Sequence, residues 1–257
     1  MKFSHLFGAV LGFIVFNVSS AADDPLAATY EAHGGLQNWR SQGTMMYDLH
    51  LTYGESVASD HQEIDLVNRN VVASNSDYGV GFDGQNLWLD QSGETGPLFP
   101  PRFYLWTPFY FLGAPFVFAD DGVVKTELPP AEFEDQEFRV VRVTFESGVG
   151  DASDDVYHLY IDPETNRLRM MRYTVSYFAS AAGKPTDALP ESAILYQRWN
   201  ETAAGITLAN KTISYAWVDD HISGEPRAKM NFSNLRFLQP RPTPARFAAP
   251  PTATLVE

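Results

Sequence analysis

Few residues in this chain of 257 could carry chemistry, and they are scattered. There is no cysteine, which excludes thiol catalysis and disulfides and leaves no residue to bear a lipid anchor. The six histidines are not spaced as a ligand set. His61 and Glu63 are two apart and share one face of a strand. With His33 they make up a zinc combination only if the fold gathers them. His33 also follows a helical run, where a cation suits the helix C-terminus. His50 and His158 fall on polar strand faces. Arg40, beside Trp39, offers a two-pronged guanidinium to a carboxylate or phosphate; the plainer reading is a surface ion pair. The run Gly150-Asp151-Ala152-Ser153-Asp154-Asp155 carries three carboxylates, but without EF-hand spacing or its bidentate Glu, so it reads as a solvated loop. H-E-x-x-H, G-x-S-x-G, Walker and Rossmann glycine patterns are all missing. No catalytic residue, metal or cofactor is predicted.

The residues that remain favour apolar binding. Between Pro100 and Ala119 the chain crowds together Phe103, Tyr104, Trp106, Phe109, Tyr110, Phe111, Phe116 and Phe118. Pro108 and Pro115 predict two or three short helical pieces rather than one. Such a segment reads as a lid lining a pocket for an acyl chain, or as a plug that closes the open side of a sheet. The candidate ligand-binding residues are Arg40, Trp88, Tyr104, Trp106, Phe109, Tyr110, Phe111, Phe116 and Phe118.

The elements around them are mostly strands. Asp24 and Pro25 start a helix over Leu26 to His33, which Gly34 and Gly35 stop, and Leu36 to Arg40 adds a short turn. Alternation of period two then takes over. Met45, Tyr47, Leu49, Leu51 and Tyr53 share one face, and Ile64, Leu66 and Val71 mark a second strand region. Asp83-Gly84 turns a hairpin within Gly79 to Leu89. Val141 to Phe145 and Tyr157 to Ile161 alternate, Asp162-Pro163-Glu164-Thr165-Asn166 makes a turn, and Met171 to Tyr177 returns. Ile194 to Trp199, Ile206 to Trp217 and Met230 to Leu238 complete the series, with a phase slip between Phe232 and Leu235 that predicts a bulge. Ala179 to Ser192 reads as a surface excursion, and the proline-rich tail from Pro240 to Pro251 as an extended strap. The expected fold is mainly β, a curved antiparallel sheet or unclosed β-barrel covered by short helices.

The N-terminus predicts export. Lys2, the apolar run Leu6 to Phe16 and the small residues Ser19, Ser20, Ala21 and Ala22 form a signal-peptide pattern. The run is shorter than the about 20 residues a spanning helix needs. The organisation read from this is a signal peptide at 1–22 and one domain at 23–257. No later stretch is long and apolar enough to span a membrane. The net charge of −14 repels phosphate backbones and anionic head groups, which excludes nucleic acid as a partner. It favours solubility, or the steering of cationic partners.

Several short runs together resemble a known family. They are His33-Gly34-Gly35 with Trp39, Gly81-Phe82-Asp83-Gly84 with Trp88, and Phe109-Tyr110-Phe111 through Pro115-Phe116-Val117-Phe118-Ala119-Asp120. Gly148-Val149-Gly150-Asp151, Tyr160-Ile161-Asp162-Pro163-Glu164-Thr165 and Tyr173-Thr174-Val175-Ser176-Tyr177 continue the series. In order and spacing the chain resembles an exported family of the DUF6503 type, similar in layout to the lipoprotein carriers LolA and LolB. The resemblance implies an unclosed β-barrel with a helical lid over an apolar cavity. It implies no established activity. The lipid-bearing cysteine of LolB-like members is missing here.

The sequence therefore reads as a periplasmic or secreted carrier or sensor of a lipid-like or other apolar ligand, acting with a small molecule or acyl chain and with an envelope protein as a further candidate partner. The alternatives are an exported hydrolase using histidine and carboxylate side chains on the same scaffold, and a structural or interaction module without a small ligand. N-terminal sequencing of the exported protein is expected to read Ala22 or Asp23 first. An intact Met1 would overturn the export reading.

Overall fold

A computed structural model describes residues 24–239 and 241–256; the signal-peptide reading lies outside the described residues. Two short helices come first, α1 (Ala27–Ala32) and α2 (Leu36–Ser41). Five strands follow: β1 (Thr44–Tyr53), β2 (Ser56–Asp65), β3 (Val71–Ser74), β4 (Tyr78–Phe82) and β5 (Leu87–Gln91). The aromatic segment forms helix α3 (Pro101–Gly113) and a 3-10 turn at Phe116–Ala119. Then come β6 (Val123–Phe133), β7 (Gln136–Phe145), β8 (Tyr157–Ile161), β9 (Leu168–Tyr173), α4 (Tyr177–Ala181), β10 (Glu191–Glu201), β11 (Thr207–Val218) and β12 (His221–Leu238). A 3-10 turn at Pro244–Phe247 leads to the final strand, β13 (Thr254–Val256).

All thirteen strands join one antiparallel sheet in the order β13-β5-β4-β3-β2-β1-β12-β11-β10-β9-β8-β7-β6. The sheet is open, with β13 and β6 at its edges. Hairpins build both halves, and the pairing of β1 with β12 joins them. Where the phase slips, the register of that pair shifts between Met46 and Asp48, and Asn234 takes the left-handed φ of 51° that a bulge requires.

Alternation gives the sheet two faces. The inner face carries Leu49, Leu51, Val141, Leu159, Ile194 and Phe232 in one large core, together with α1, α2 and α3. Helix α3 reaches from β3, β4 and β5 to β11. In a flat sheet β5 and β11 would stand about 29 Å apart, and α3 is about 20 Å long, so it bridges most of that span. The outer face carries a second cluster, built on Phe138, Val140, Tyr160, Met170, Leu195 and Trp217. Phe133 at the tip of β6 meets Trp217 of β11 at 6.3 Å between ring centroids, although β7, β8, β9 and β10 lie between their strands. The β6–β7 tip must therefore fold across the outer face.

Several expectations need correction. Pro108 does not break α3, which runs unbroken through it. Leu105 and Phe109 on either side are fully buried, so packing outweighs the one backbone bond that proline removes. Strand β6 carries no strand signal in the sequence because it contains Pro129-Pro130. It is an edge strand, where proline is tolerated, and its register shifts between Leu128 and Ala131. Tyr177 begins α4 instead of extending the strand that ends at Tyr173. The proline-rich stretch forms no strand among its described residues, as expected, but it is not extended throughout: Pro244–Phe247 is a 3-10 turn, and β13 beyond it pairs with β5. The loop before β8 is not fully solvated, because Asp155 is buried and accepts from the Ser176 amide at 2.5 Å.

Two close approaches depend on glycine. A side chain at Gly34 would strike the Gly205 carbonyl, where α1 meets the β10–β11 turn. Gly81 lies against the Trp88 indole, whose Nε1 donates to the Phe247 carbonyl at 3.0 Å. Trp88 is held from both sides, so Gly81→Ala is expected to cost about 1–3 kcal/mol, measurable by urea denaturation. An unchanged midpoint would show that the strap yields.

Candidate ligand-binding site beneath the aromatic helix

Helix α3 is largely apolar; its polar side chains besides the tyrosines are Arg102, which pairs with Asp151 at 2.7 Å, and Thr107. Tyr104, Leu105, Pro108, Phe109, Phe111 and Leu112 are buried, and Phe103, Trp106 and Tyr110 are half-buried. A helix this apolar needs most of its surface covered. Its rings pair with the surrounding wall. Trp106 meets Phe82 edge-on at 5.3 Å and Phe111 meets Tyr173 at 5.1 Å, and from the 3-10 turn Phe118 meets Tyr157 at 5.4 Å. Beyond the helix, Phe116 stacks on Trp39 at 4.8 Å and 7°.

A buried polar network fixes this apolar body in register. Asp60 of β2 faces inward beside Ala58 and Ile64 and is buried. Its Oδ2 accepts from the Tyr78 hydroxyl at 2.6 Å and from the Tyr104 hydroxyl of α3. Its Oδ1 accepts from Gln62 Nε2 at 2.9 Å, and Gln62 Oε1 accepts from the Tyr47 hydroxyl at 2.7 Å. One carboxylate thus ties the helix to β2 and β4, and through Gln62 to β1. Burial pushes the Asp60 carboxyl above the usual carboxylate range, opposed by donation from Tyr104, Tyr78 and Gln62. Burial and the adjacent carboxylate push both phenols up, so they stay donors at neutral pH. At the helix margin, Arg69 places its guanidinium 5.1 Å over the Phe109 ring, pairs with Asp120, and accepts the Trp106 indole N–H on its carbonyl at 3.3 Å.

The structure brings Tyr104, Trp106, Phe109, Tyr110, Phe111, Phe116 and Phe118 together over the inner face. The other two candidates lie apart. Arg40 Nη2 donates to the Ala119 carbonyl at 3.0 Å and so holds the end of the aromatic segment. Trp88 lies against Gly79 and Gly81 beneath the Phe247 strap, while its neighbours Leu87 and Leu89 pack into the inner core.

The zinc combination is not assembled. His33 is buried, with Nδ1 at 3.0 Å from the Thr207 carbonyl and Nε2 accepting from the Leu168 amide at 3.3 Å. Burial lowers its pKa to about 4. It is a neutral core residue, not the helix-end cation expected from the sequence. His61 is part-buried between Asp48 at 2.7 Å and Glu63 at 3.5 Å. Among the described residues no cluster of three or more His, Asp or Glu side chains is arranged to hold a metal. Asp83 accepts from the Gln85 and Asn86 amides, as a turn residue does. Sequence reasoning missed Asp60, Gln62, Tyr47 and Tyr78. The available signal was the place of Asp60 and Gln62 in phase with Ala58 and Ile64.

No protein-family model matches the chain, and no curated protein matches it significantly. Solved structures do match. A LolA superfamily protein from Nitrosomonas europaea superposes with a TM-score of 0.53 at 10% identity, over 87% of this chain and 96% of that one. The fold is that of the LolA superfamily. A DUF1329 family protein from Desulfovibrio piger follows at TM-score 0.46 and 12% identity, over 83% and 93% of the two chains. The LolA-like layout implied by the sequence is borne out, while the DUF6503-type resemblance rests on its motifs alone. Among the described residues no helix is long and apolar enough to cross a membrane.

Replacing Asp60 by Ala strands two phenols and an amide in the core and is expected to cost about 3–5 kcal/mol. Asp60→Asn should cost far less, because a rotated Gln62 amide restores the pairing. Folded Asp60 holds its proton more tightly than the unfolded chain does. The wild type should therefore gain stability relative to Asp60→Asn as the pH falls from neutrality into the ordinary carboxylate range. Urea titrations of both proteins at pH 7 and pH 5 measure this. A parallel pH response would place the titration elsewhere.

Proposed function

We propose that the protein is an envelope carrier or sensor that takes the acyl-like body of an apolar ligand between α3 and the inner face of the sheet. The observation that carries this reading is a largely apolar helix lying over the apolar face of an open sheet and tied to β2 and β4 by a single carboxylate. An acyl chain offers that face the same surface that α3 offers. It can replace the helix contacts at about 0.8 kcal/mol per CH₂. The LolA-type fold is consistent with such a cover.

A second reading has its own support. Tyr104, Leu105, Phe109, Phe116, Val117 and Phe118 fill the inner face, each 1% exposed or less. That is what a fixed plug in an interaction module requires. The carrier reading therefore needs α3 to move, and the Asp60 anchor sets how readily it does.

Titration with a fluorescent fatty acid is expected to give micromolar affinity, about −8 kcal/mol. Trp106→Glu or Phe111→Glu should abolish binding, since an unpaired charge in an apolar site costs several kcal/mol. Tyr104→Phe, which frees the helix from Asp60, should speed uptake. If the wild type takes up no probe and both charge variants unfold, the segment is a plug and the carrier reading fails.

A further inference from the structure

The inner face is not apolar throughout. On β10 and β11 it carries a row of polar side chains. Tyr196 stands directly opposite Thr212 in the β10–β11 register, and Thr212 stands opposite Met230 in the β11–β12 register. Tyr196 and Met230 belong to the inner core, so all three share that face. Asn210 and Ser214 lie two residues to either side of Thr212 and face the same way. Helix α3 packs on β11, and its Phe111 meets Tyr173 of β9, the strand beside β10. Tyr196 stacks on Trp199 at 5.8 Å, Trp199 meets His33 at 4.8 Å, and His33 meets Phe116 at 6.3 Å. The row thus lies under the end of α3 and the 3-10 turn that follows it.

Three atoms of this row are buried with no hydrogen-bond partner among the described residues: Tyr196 Oη, Thr212 Oγ1 and Asn210 Oδ1. Tyr196 is 2% exposed and Thr212 1%. An unpaired polar group at such depth is destabilising, and three on one face need a partner from outside the chain. The Cβ atoms of Tyr196 and Thr212 stand about 5 Å apart, and Asn210 lies about 7 Å further along the strand. One small head group spans that distance. The two hydroxyls can donate and the amide oxygen accepts, which complements an ester carbonyl beside a free hydroxyl. The surroundings carry no formal charge. Burial pushes the Tyr196 phenol up, and Tyr173 is the one ionisable neighbour that adds to this. Arg227 and Asp155 bear on Tyr173, with opposite signs. A carboxylate or ammonium head would enter this place without a counter-charge, at a heavy desolvation cost.

We infer that Tyr196, Thr212 and Asn210 seat the head group of the ligand, and that this head group is uncharged, an acylglycerol-like ester with a free hydroxyl. The inference rests on the reading of the inner face as an acyl site and names the ligand class that site takes. The ester carbonyl accepts from Tyr196 and Thr212, and the ligand hydroxyl donates to Asn210. The acyl chain lies on the apolar surface that α3 covers.

Displacement of the neutral fluorophore N-phenylnaphthylamine from the full-length mature protein tests this, with monolaurin, laurate and dodecane as competitors. Monolaurin is expected to compete more tightly than laurate. The double variant Tyr196→Phe/Thr212→Val keeps the shape of both side chains and removes both hydroxyls. It should lose monolaurin affinity about tenfold, the worth of one or two hydrogen bonds, and bind dodecane unchanged. It should also melt no lower than the wild type, because the groups it removes are unpaired in the free protein. A lower melting point would show that buried water already satisfies the hydroxyls, and the seat would be lost. Equal losses for monolaurin and dodecane, or laurate binding as tightly as monolaurin, would also overturn it. If the fluorophore binds and dodecane displaces it while the variant keeps full monolaurin affinity, the seat fails and the carrier reading stands. If neither the fluorophore nor any competitor binds the wild type, the carrier reading fails and takes the seat with it.

Discussion

An antiparallel sheet that does not close leaves an apolar face that something else must cover. Here that demand sets the rest of the structure. The two halves of the sheet meet at β1 and β12 and present one continuous inner surface. An amphipathic helix could cover part of it and keep a wet side. Helix α3 is instead apolar round most of its circumference, with Arg102 and Thr107 on its half-buried side, so it needs cover almost as much as the sheet does. Hydrophobic burial holds the two together but is not directional. The Asp60 network supplies the direction. Tyr104 can reach its carboxylate in one register of the helix, and an unmade bond at that depth is costly.

Much of this was legible in the sequence because it follows from period and turn chemistry. The alternation from Met45 to Tyr53, the turn at Asp83-Gly84, the Asp162–Asn166 turn and the slip after Phe232 each have a local cause and a matching local structure. The aromatic segment announced itself by composition. The parts that were not legible depend on distant partners. Asp60 and Gln62 are polar residues on an apolar face, and a rule that sends polar residues to solvent misplaces them. Nothing within β2 signals that Tyr78 and Tyr104 wait opposite. His33 looked like a cation at a helix end until β9 and β11 enclosed it. Pro129-Pro130 concealed a strand because proline argues against pairing on both sides, whereas an edge strand pairs on one.

The two faces use charge in opposite ways. Inside, one carboxylate is surrounded by three donors and is effectively consumed by the fold. Outside, carboxylates outnumber their partners at the hairpin tips, and Glu132 faces Glu137 with no benefit to the strand pair. The first arrangement restricts conformations. The second keeps an electrostatic cost in the folded state.

The anchor also limits what the helix can do. If apolar contact alone held α3, an acyl chain would compete with it over its whole length, with no threshold. The Asp60–Tyr104 bond adds a step. Lifting the helix exposes a carboxylate whose proton affinity burial has already raised. Once water reaches Asp60, its pKa falls toward the ordinary range, and the ionised form is better solvated than it was in the core. Hydration of the freed carboxylate therefore offsets part of the loss of its tyrosine partner. The lifted state is closer in free energy to the closed one than a count of broken hydrogen bonds implies, and more so at neutral pH than in acid. A buried carboxylate serves a movable cover better than a neutral amide for this reason: both fix the register when closed, but only the carboxylate gains strongly from water when the cover lifts.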